Sequence, residues 1–305
     1  MKSVTVHSPA TLSNLCCGFD ILGMALKQPY DVITINETDG NDITITHLDQ
    51  YGLTTDPLHN IAGVVLEAMR KATQSNQGYE IIIDKKIKPG SGIGSSAASA
   101  AGVAVAANAI MGSKFTPQEL VSFAMEGEVL ASGSRHADNL APCIYGGLVL
   151  IRDTPSLDII PIQTPDLYIT ILHPQIEIKT SYARSILPKE VPLKTAITQW
   201  ANVAGLITGF TQNDLGLISR SLKDVIAEPV RSPLIPGFDE VRILSMEAGA
   251  LGGGISGSGP SLFMFSETAQ IAEKVELAMQ SVYHKLGIDF KSYVTTIASN
   301  GVEIV

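Results

Sequence analysis

Apolar and polar residues alternate in short runs early in the chain and recur at helical spacing later. The alternation predicts strands at Val4–Ser8 (VTVHS), Asp31–Asn36 (DVITIN), Asp42–Leu48 (DITITHL) and Tyr79–Ile87 (YEIIIDKKI). Between the last two, NIAGVVLEAMRKAT predicts a helix from Asn60 to Thr73. An alanine-rich run predicts a second helix from about Ser95 to Met111. The segment TPQELVSFAMEGEVLASG predicts a third, with Thr116 as N-cap and Pro117 in its first turn. A strand at Gly146–Arg152 closes this half.

A Pro-rich interval, DTPSLDIIPIQTPD, predicts a boundary within residues 153–166 and divides the chain into domains of residues 1–160 and 161–305. After it come strand LYITILHP and helical segments at Ser181–Leu187, Leu193–Phe210, Leu215–Ile226 and Phe238–Ala248. An apolar strand at Ser261–Ser266, the helix TAQIAEKVELAMQSVYHKLG and a last strand KSYVTTIASNG complete the pattern. Neighbouring strands followed by mixed elements predict an α+β fold rather than a strictly alternating one. At 305 residues the chain is long enough for two cores.

Composition narrows the function classes. Apolar residues make up 45% and charged residues 17%, an ordinary globular balance. The formal charge is −9, and no Lys/Arg cluster offsets it, so nucleic acid and anionic membranes are disfavoured as partners. Three cysteines, two of them adjacent (Cys16, Cys17 and Cys143), read as free thiols in a reducing compartment. The chain lacks CxxC and HExxH motifs. Its N-terminus alternates like a strand and lacks the apolar core of a signal peptide, so the expected location is the cytoplasm.

The chemistry begins at PGSGIGSSAA, residues 89–98. Glycines let backbone N–H groups turn toward a ligand, and a helix N-terminus following them favours negative charge. A phosphate compound is the expected ligand; a tight turn with close helix packing is the plainer reading. The chain contains no Gly-Lys pair, which removes a Walker A loop. The string GGGISG at Gly252–Gly257 fits a dinucleotide fingerprint only as a string, since it follows a helix and precedes a strand.

Three stretches in order, SPATLSNLCCGFDILGMAL, PGSGIGSSAASAAG and AGALGGGISGSGPSLFMF, resemble the three motifs of the GHMP kinase superfamily over nearly the whole chain. Four stretches, SNLCCGFDILG, EGEVLASGSRHADNLAP, TSYARSILP and EPVRSPLIPGFDEV, are similar to those of its homoserine kinase branch. One departure is visible: the first motif usually reads Gly-Pro-Gly-Phe-Asp, and here Cys16-Cys17 replaces Gly-Pro. The resemblance implies the two-domain GHMP kinase fold. Its N-terminal domain resembles the second domain of ribosomal protein S5, and its C-terminal domain is ferredoxin-like. It also implies ATP-dependent phosphorylation of the side-chain hydroxyl of L-homoserine, on the route to threonine, with Mg2+ as cofactor. A homodimer is left open.

The resemblance also implies roles. Pro89, Gly90, Ser91, Gly92, Ile93, Gly94, Ser95, Ser96, Ala97, Ala98 and Ser99 would hold the ATP phosphates, and Ser96 and Glu128 the metal. Glu126 and Glu128 lie about 200° apart around a helix, and the apolar stripe beside them does not choose between them. Asn60 reads either as an N-cap or as a nucleotide contact. Asp138 is the candidate base, the phosphate itself being the alternative proton acceptor. Arg184 and Arg231 would clamp a carboxylate, and Asp20 an ammonium. Asn14, His136 and Asn139 would contact the substrate, with Gly257 and Gly259 closing the site. A mevalonate or sugar kinase of the same superfamily, and a non-catalytic sensor, are the competing readings. The Asp20, Arg184 and Arg231 set disfavours the first, and the Ser96–Glu128 pair disfavours the second.

Overall fold

The computed structural model describes residues 2–133 and 135–305. In chain order the N-terminal half runs β1 (Ser3–Ser13), β2 (Leu22–Thr38), β3 (Ile43–His47), α1 (Ile61–Ala72), β4 (Gly78–Asp84), α2 (Ser95–Ile110), α3 (Pro117–Ser132), α4 (Leu140–Tyr145), β5 (Leu148–Asp153) and β6 (Asp158–Ile162). A single sheet takes the order β11-β1-β2-β4-β3, with β5 bridging β2 and β6. Its last member, β11 (Glu303–Ile304), returns from the far end of the chain to pair with Val6 and His7. Among the described residues only β3 and β4 pair in parallel, joined through α1 as a crossover.

Helix α2 has no polar face, and its alanines are buried on every side. Small side chains let β1, β2, α1, α3 and α4 all approach it closely, so a helix beginning at the glycine loop becomes the axis of this core. Thr116 caps α3 as its sequence predicts, and Glu119 completes a capping box by accepting the Thr116 N–H.

The C-terminal half runs β7 (Tyr168–Pro174), α5 (Thr180–Ser185), α6 (Leu193–Gln212), α7 (Leu215–Ser221), α8 (Glu228–Arg231), a 3-10 turn at Ser232–Leu234, α9 (Phe238–Glu247), β8 (Gly252–Ile255), β9 (Leu262–Ser266), α10 (Ala269–Leu286) and β10 (Phe290–Thr296). Its antiparallel sheet has the order β10-β7-β9-β8, which is the ferredoxin-like arrangement with helices covering one face. Together the halves make the two-domain α+β fold expected from the sequence.

Four expectations are corrected. Gly252–Ile255, read from sequence as a glycine string between a helix and a strand, is itself a strand; glycines carry no apolar signal, but their backbones pair fully with β9. The segment after α3 is helical from Leu140 onward, so the extended part of RHADN is short. Strand β6 lies inside the Pro-rich interval. The helix drawn to Ile226 stops at Ser221, because the Asp224 carboxylate takes the N–H groups of Ile226, Ala227 and Glu228.

One apolar cluster joins the halves. Leu12, Leu22, Met24, Ile87 and Ile93 meet Ile169, Ile171, Phe210, Phe263 and Phe265 across the two sheets. Phe265 is fully buried and stands edge-on to Phe210 and Phe263, with ring centroids 5.9 and 5.4 Å away. Phe265→Ala should therefore destabilise the protein by about 3–5 kcal/mol, measured by denaturant unfolding, and should loosen both halves together.

Candidate active site

The glycine loop leaves β4 through Lys85–Lys88 and enters α2 at Ser95. Three consecutive carbonyls in it are held from outside. Ser91 O accepts the Ser261 hydroxyl at 2.6 Å, Gly92 O accepts the Ser256 hydroxyl at 2.7 Å, and Ile93 O accepts the Thr11 N–H at 3.1 Å. The ladder of α2 begins with Ala98 N–H on Gly94 O. The six N–H groups from Gly92 to Ala97 consequently have no acceptor among the described residues. Glycine is required at two points. Gly92 has φ 83°, and a Cβ there would meet Gly259 O at 2.6 Å; Gly94 has φ 73°, and a Cβ there would strike Thr11 Oγ1.

Below the loop lies a buried ion pair. Lys85 Nζ donates to Asp31 Oδ2 at 2.6 Å, Ser95 O at 2.8 Å and Ser99 Oγ at 2.8 Å. Asp31 Oδ1 in turn accepts the N–H groups of Lys86 and Ile87. Burial pushes the Asp31 carboxyl up, and the Lys85 ammonium pulls it back down. The sequence pattern did not single out Lys85 because it sits at the end of an ordinary strand.

Loop, helix start and several converging side chains enclose a cavity of about 450 Å3. Ser96 Oγ donates to Glu128 Oε2 at 3.1 Å within it. Glu126, the alternative carboxylate, instead meets Arg135 at 2.9 Å toward solvent. No cluster of three His, Cys, Asp or Glu residues with metal-ligand geometry occurs among the described residues. One hydroxyl and one carboxylate fit a cation such as Mg2+ that takes its remaining oxygens from phosphate and water.

Elsewhere the cavity is strongly charged. Arg184 Nη1 and Nη2 bind Asp20 in a bidentate pair at 3.0 and 2.8 Å. Arg231 is buried, and donates through Nε to Ala183 O at 3.1 Å and through Nη1 to Gly257 O at 3.0 Å. Its Nη2 has no partner among the described residues. Both guanidinium groups lie over the Phe19 ring, at 5.0 Å for Arg231 and 5.4 Å for Arg184. The C-terminal half thus supplies two cations facing one acid of the N-terminal half. Thr180 and Ser258, bonded to each other at 3.2 Å, also line this region and were not anticipated.

Several predicted contacts serve the framework instead. Asn14 accepts the Asp20 N–H and donates to Gly257 O, each at 3.0 Å. Asn139 accepts from Thr11 Oγ1 at 2.8 Å and donates to Ser13 Oγ at 3.0 Å. Both still line the cavity, but their amides tie β1 and the first-motif loop to Gly257 and to the start of α4. Asn60 is an N-cap, accepting the Ala62 N–H at 2.9 Å, and it lines the cavity as well. Ile93 turns its side chain into the cluster between the sheets, and the methyls of Ala97 and Ala98 are buried in apolar clusters. Ala98 has also used its N–H, so it offers nothing to a phosphate. Ser91 buries its hydroxyl and presents its carbonyl to Ser261, and Gly259 packs beneath Gly92 rather than lining the cavity. Pro89, Gly90, Gly92, Gly94, Ser95, Ser96 and Ser99 do line it. Ser134 lies outside the described residues.

Burial shapes the acid–base groups. Asp138 is enclosed beside the cavity, and burial, with Asp20 and Glu128 nearby, pushes its carboxyl up to about 7 against a hydrogen bond from Ser13. Burial lowers His136, keeping it neutral, and its Nε2 has no partner among the described residues. Burial also pushes the three thiols upward, Cys17 to about 12, so none is activated as a nucleophile.

Comparison with known proteins agrees with this geometry. The profile described as "GHMP kinases N terminal domain" matches residues 60–147, and that described as "GHMP kinases C terminal" matches residues 206–285. A homoserine kinase of Chloroherpeton thalassium is 46% identical over 94% of each chain. One from Chlorobaculum tepidum is 44% identical over 100% of this chain and 99% of its own. The chain belongs to the homoserine kinase family. The crystal structure of the family member from Cytophaga hutchinsonii is 44% identical and superposes with a TM-score of 0.96, covering 100% of this chain and 98% of that one. A mevalonate kinase of L. major, at 14% identity and a TM-score of 0.74, covers 95% of this chain and 94% of its own and shares the fold.

Against that family pattern the Cys16-Cys17 pair acquires a structural meaning. Asn14, Leu15 and Cys16 have φ of 71, 43 and 64°, a left-handed turn closed by Gly18 N–H on Asn14 O. Such a conformation costs a non-glycine residue roughly 1–2 kcal/mol. Cys16 occupies it, and burial of its side chain against Gly254 offsets part of the strain.

The raised carboxyl of Asp138 has a measurable consequence. Folding moves its pKa from 3.8 to about 7, so the folded state holds a proton that the unfolded state releases between those values. Its contribution is full below the unfolded value and is lost as pH rises through about 7. Asp138→Asn should therefore raise Tm at pH 8, and the gain over wild type should shrink toward pH 5, as followed by scanning calorimetry.

Proposed function

We infer that this chain transfers the terminal phosphoryl group of ATP to the side-chain hydroxyl of L-homoserine, giving O-phospho-L-homoserine, as its family does. The observation that carries the reading is a single cavity in which unpaired loop N–H groups and the Ser96–Glu128 pair share walls with Asp20, Arg184 and Arg231. A polyanion suits the first group. A zwitterionic amino acid suits the second, since a carboxylate needs the guanidinium groups and an ammonium needs Asp20.

Phosphoryl transfer asks a protein mainly to position groups and to stabilise charge. The N–H groups from Gly92 to Ala97 and the N-terminus of α2 would bind the phosphate oxygens. Ser96 and Glu128 would hold Mg2+, which when bound neutralises the charge that opposes attack on the terminal phosphate. Lys85 fixes Ser95 and Ser99 from below. At the other end, the carboxylate would engage the Arg231 Nη2 and share Arg184 with Asp20, leaving a carboxylate oxygen of Asp20 for the ammonium. Asp138, poised near neutrality and held by Ser13, would take the hydroxyl proton. The inferred division near residue 160 assigns phosphate binding to the first domain and the two arginines to the second.

A mevalonate kinase reading draws only on shared fold: mevalonate would bring a carboxylate for the arginines but no ammonium for Asp20. Ser96→Ala and Glu128→Gln should each lower kcat by about tenfold or more, with little change in KM for homoserine. Arg184→Ala should raise that KM by roughly 10–100-fold, the worth of a charge-assisted hydrogen-bond pair, with kcat less affected. Steady-state kinetics on the three variants separates the two ends of the cavity. An Arg184→Ala enzyme with wild-type KM removes Arg184 from the clamp.

A further inference from the structure

One wall of the cavity is made by irregular chain. Between β3 and α1, residues 48–60 form no strand or helix, yet Leu53, Thr54, His59 and Asn60 all face the cavity. What fixes this wall is a hydrogen-bonded relay. Asn60 Oδ1 accepts the Ala62 N–H, which sets the amide orientation and makes Nδ2 the donor to Thr54 O and, at 3.0 Å, to His47 Nε2. A donor facing Nε2 means that this nitrogen carries no proton. The ring proton then lies on Nδ1, facing Asp49 Oδ2 at 3.3 Å. The other Asp49 oxygen accepts the Tyr51 N–H at 2.9 Å. The His47 and Asp49 side chains are only 9% and 5% exposed, so water does not replace these bonds cheaply. No hydrogen bond joins the relay to Asp20, Arg184 or Arg231 among the described residues.

We propose that His47 is a positioning residue for the nucleotide: by accepting from Asn60 while donating to Asp49, it holds the 48–60 wall in the shape that receives ATP. This rests on the reading that ATP occupies the Asn60 side of the cavity. His47 also lines the cavity, but its bonds run to Asn60, which holds Thr54, and to Asp49, and so leave the amino-acid end untouched.

The test compares His47→Leu, which removes both bonds at similar bulk, with His47→Gln, whose side-chain carbonyl can still accept from Asn60. ATP affinity is measured by calorimetric titration without homoserine, and both KM values by steady-state kinetics. His47→Leu should weaken ATP binding and raise its KM by about five- to tenfold, with KM for homoserine and kcat within about twofold. His47→Gln should recover most of the loss. Unchanged ATP affinity in His47→Leu, a parallel rise in both KM values, or a His47→Gln as impaired as His47→Leu would each overturn the proposal. Should His47→Leu not fold, Asp49→Ala, which removes the acceptor facing His47 Nδ1, carries the same test, and its failure to shift ATP affinity selectively overturns the proposal too. Because binding is read without homoserine, a wild type that binds ATP but does not turn over homoserine faults the substrate reading. The His47 comparison is decided either way.

Discussion

The direction in which the peptide units of residues 91–97 face is the constraint on which the site depends. Left alone, a glycine-rich loop samples many orientations and presents carbonyls as readily as N–H groups. Here Ser261, Ser256 and the Thr11 N–H take three carbonyls in succession, and the N–H groups are left for a ligand. Two of these partners come from the β8–β9 connection of the second half, so the glycine loop belongs to one half and is oriented by the other. The apolar cluster of Phe210, Phe263 and Phe265 with Leu12, Leu22 and Ile93 keeps that connection in register with the loop.

Electrostatics explains why so many devices converge. A chain of formal charge −9 repels a polyanion at long range, so attraction has to be local. Loop N–H groups and the dipole of α2 supply it over a few ångströms, and in the proposed reading a cation at Ser96 and Glu128 would add to it. Lys85 adds less than a free cation would, because Asp31 neutralises it; its larger effect is to tie Ser95 and Ser99 at the start of α2. At the other end Asp20 pairs with Arg184, and Arg231, bonded only to backbone carbonyls, leaves an excess positive charge. In the proposed reading a zwitterion's carboxylate would join Arg184 and Arg231 and its ammonium Asp20, so each charge meets its opposite and desolvation cost stays down. Asp138 is the exception: burial disfavours its charged form, so the acid suited to accept a proton near neutrality also weakens the fold there.

Much of this was legible in the sequence. Strands β1 to β4, helices α1 to α3 and the order of the second half followed from apolar periodicity, from Thr116 and Pro117, and from the Pro-rich interval. The glycine loop was legible because its chemistry is local: Gly92 and Gly94 adopt conformations that other residues resist. Which side chains would face the cavity was less so. Helical angle alone left Glu126 and Glu128 open, and only the packing of α3 turns Glu128 inward. Asn14 and Asn139, read from sequence as substrate contacts, line the cavity and also carry framework bonds that only their long-range partners reveal, because an amide in a polar motif carries no mark of what it bonds. Lys85, His47 and Thr180 were missed for the same reason, each being ordinary in its own neighbourhood and significant only across the fold. Strand β8 escaped notice because glycine pairing is a backbone property with no side-chain signature.

The central claim is that one cavity joins an ATP site to an amino-acid clamp, and a substrate panel tests it most directly. Purified protein with ATP and Mg2+ would be offered L-homoserine, D-homoserine, L-serine, L-threonine, mevalonate and galactose separately, and ADP release followed. The account predicts turnover with L-homoserine far above all the others. Turnover on mevalonate or galactose, or ATP binding with no turnover on any alcohol, would contradict it.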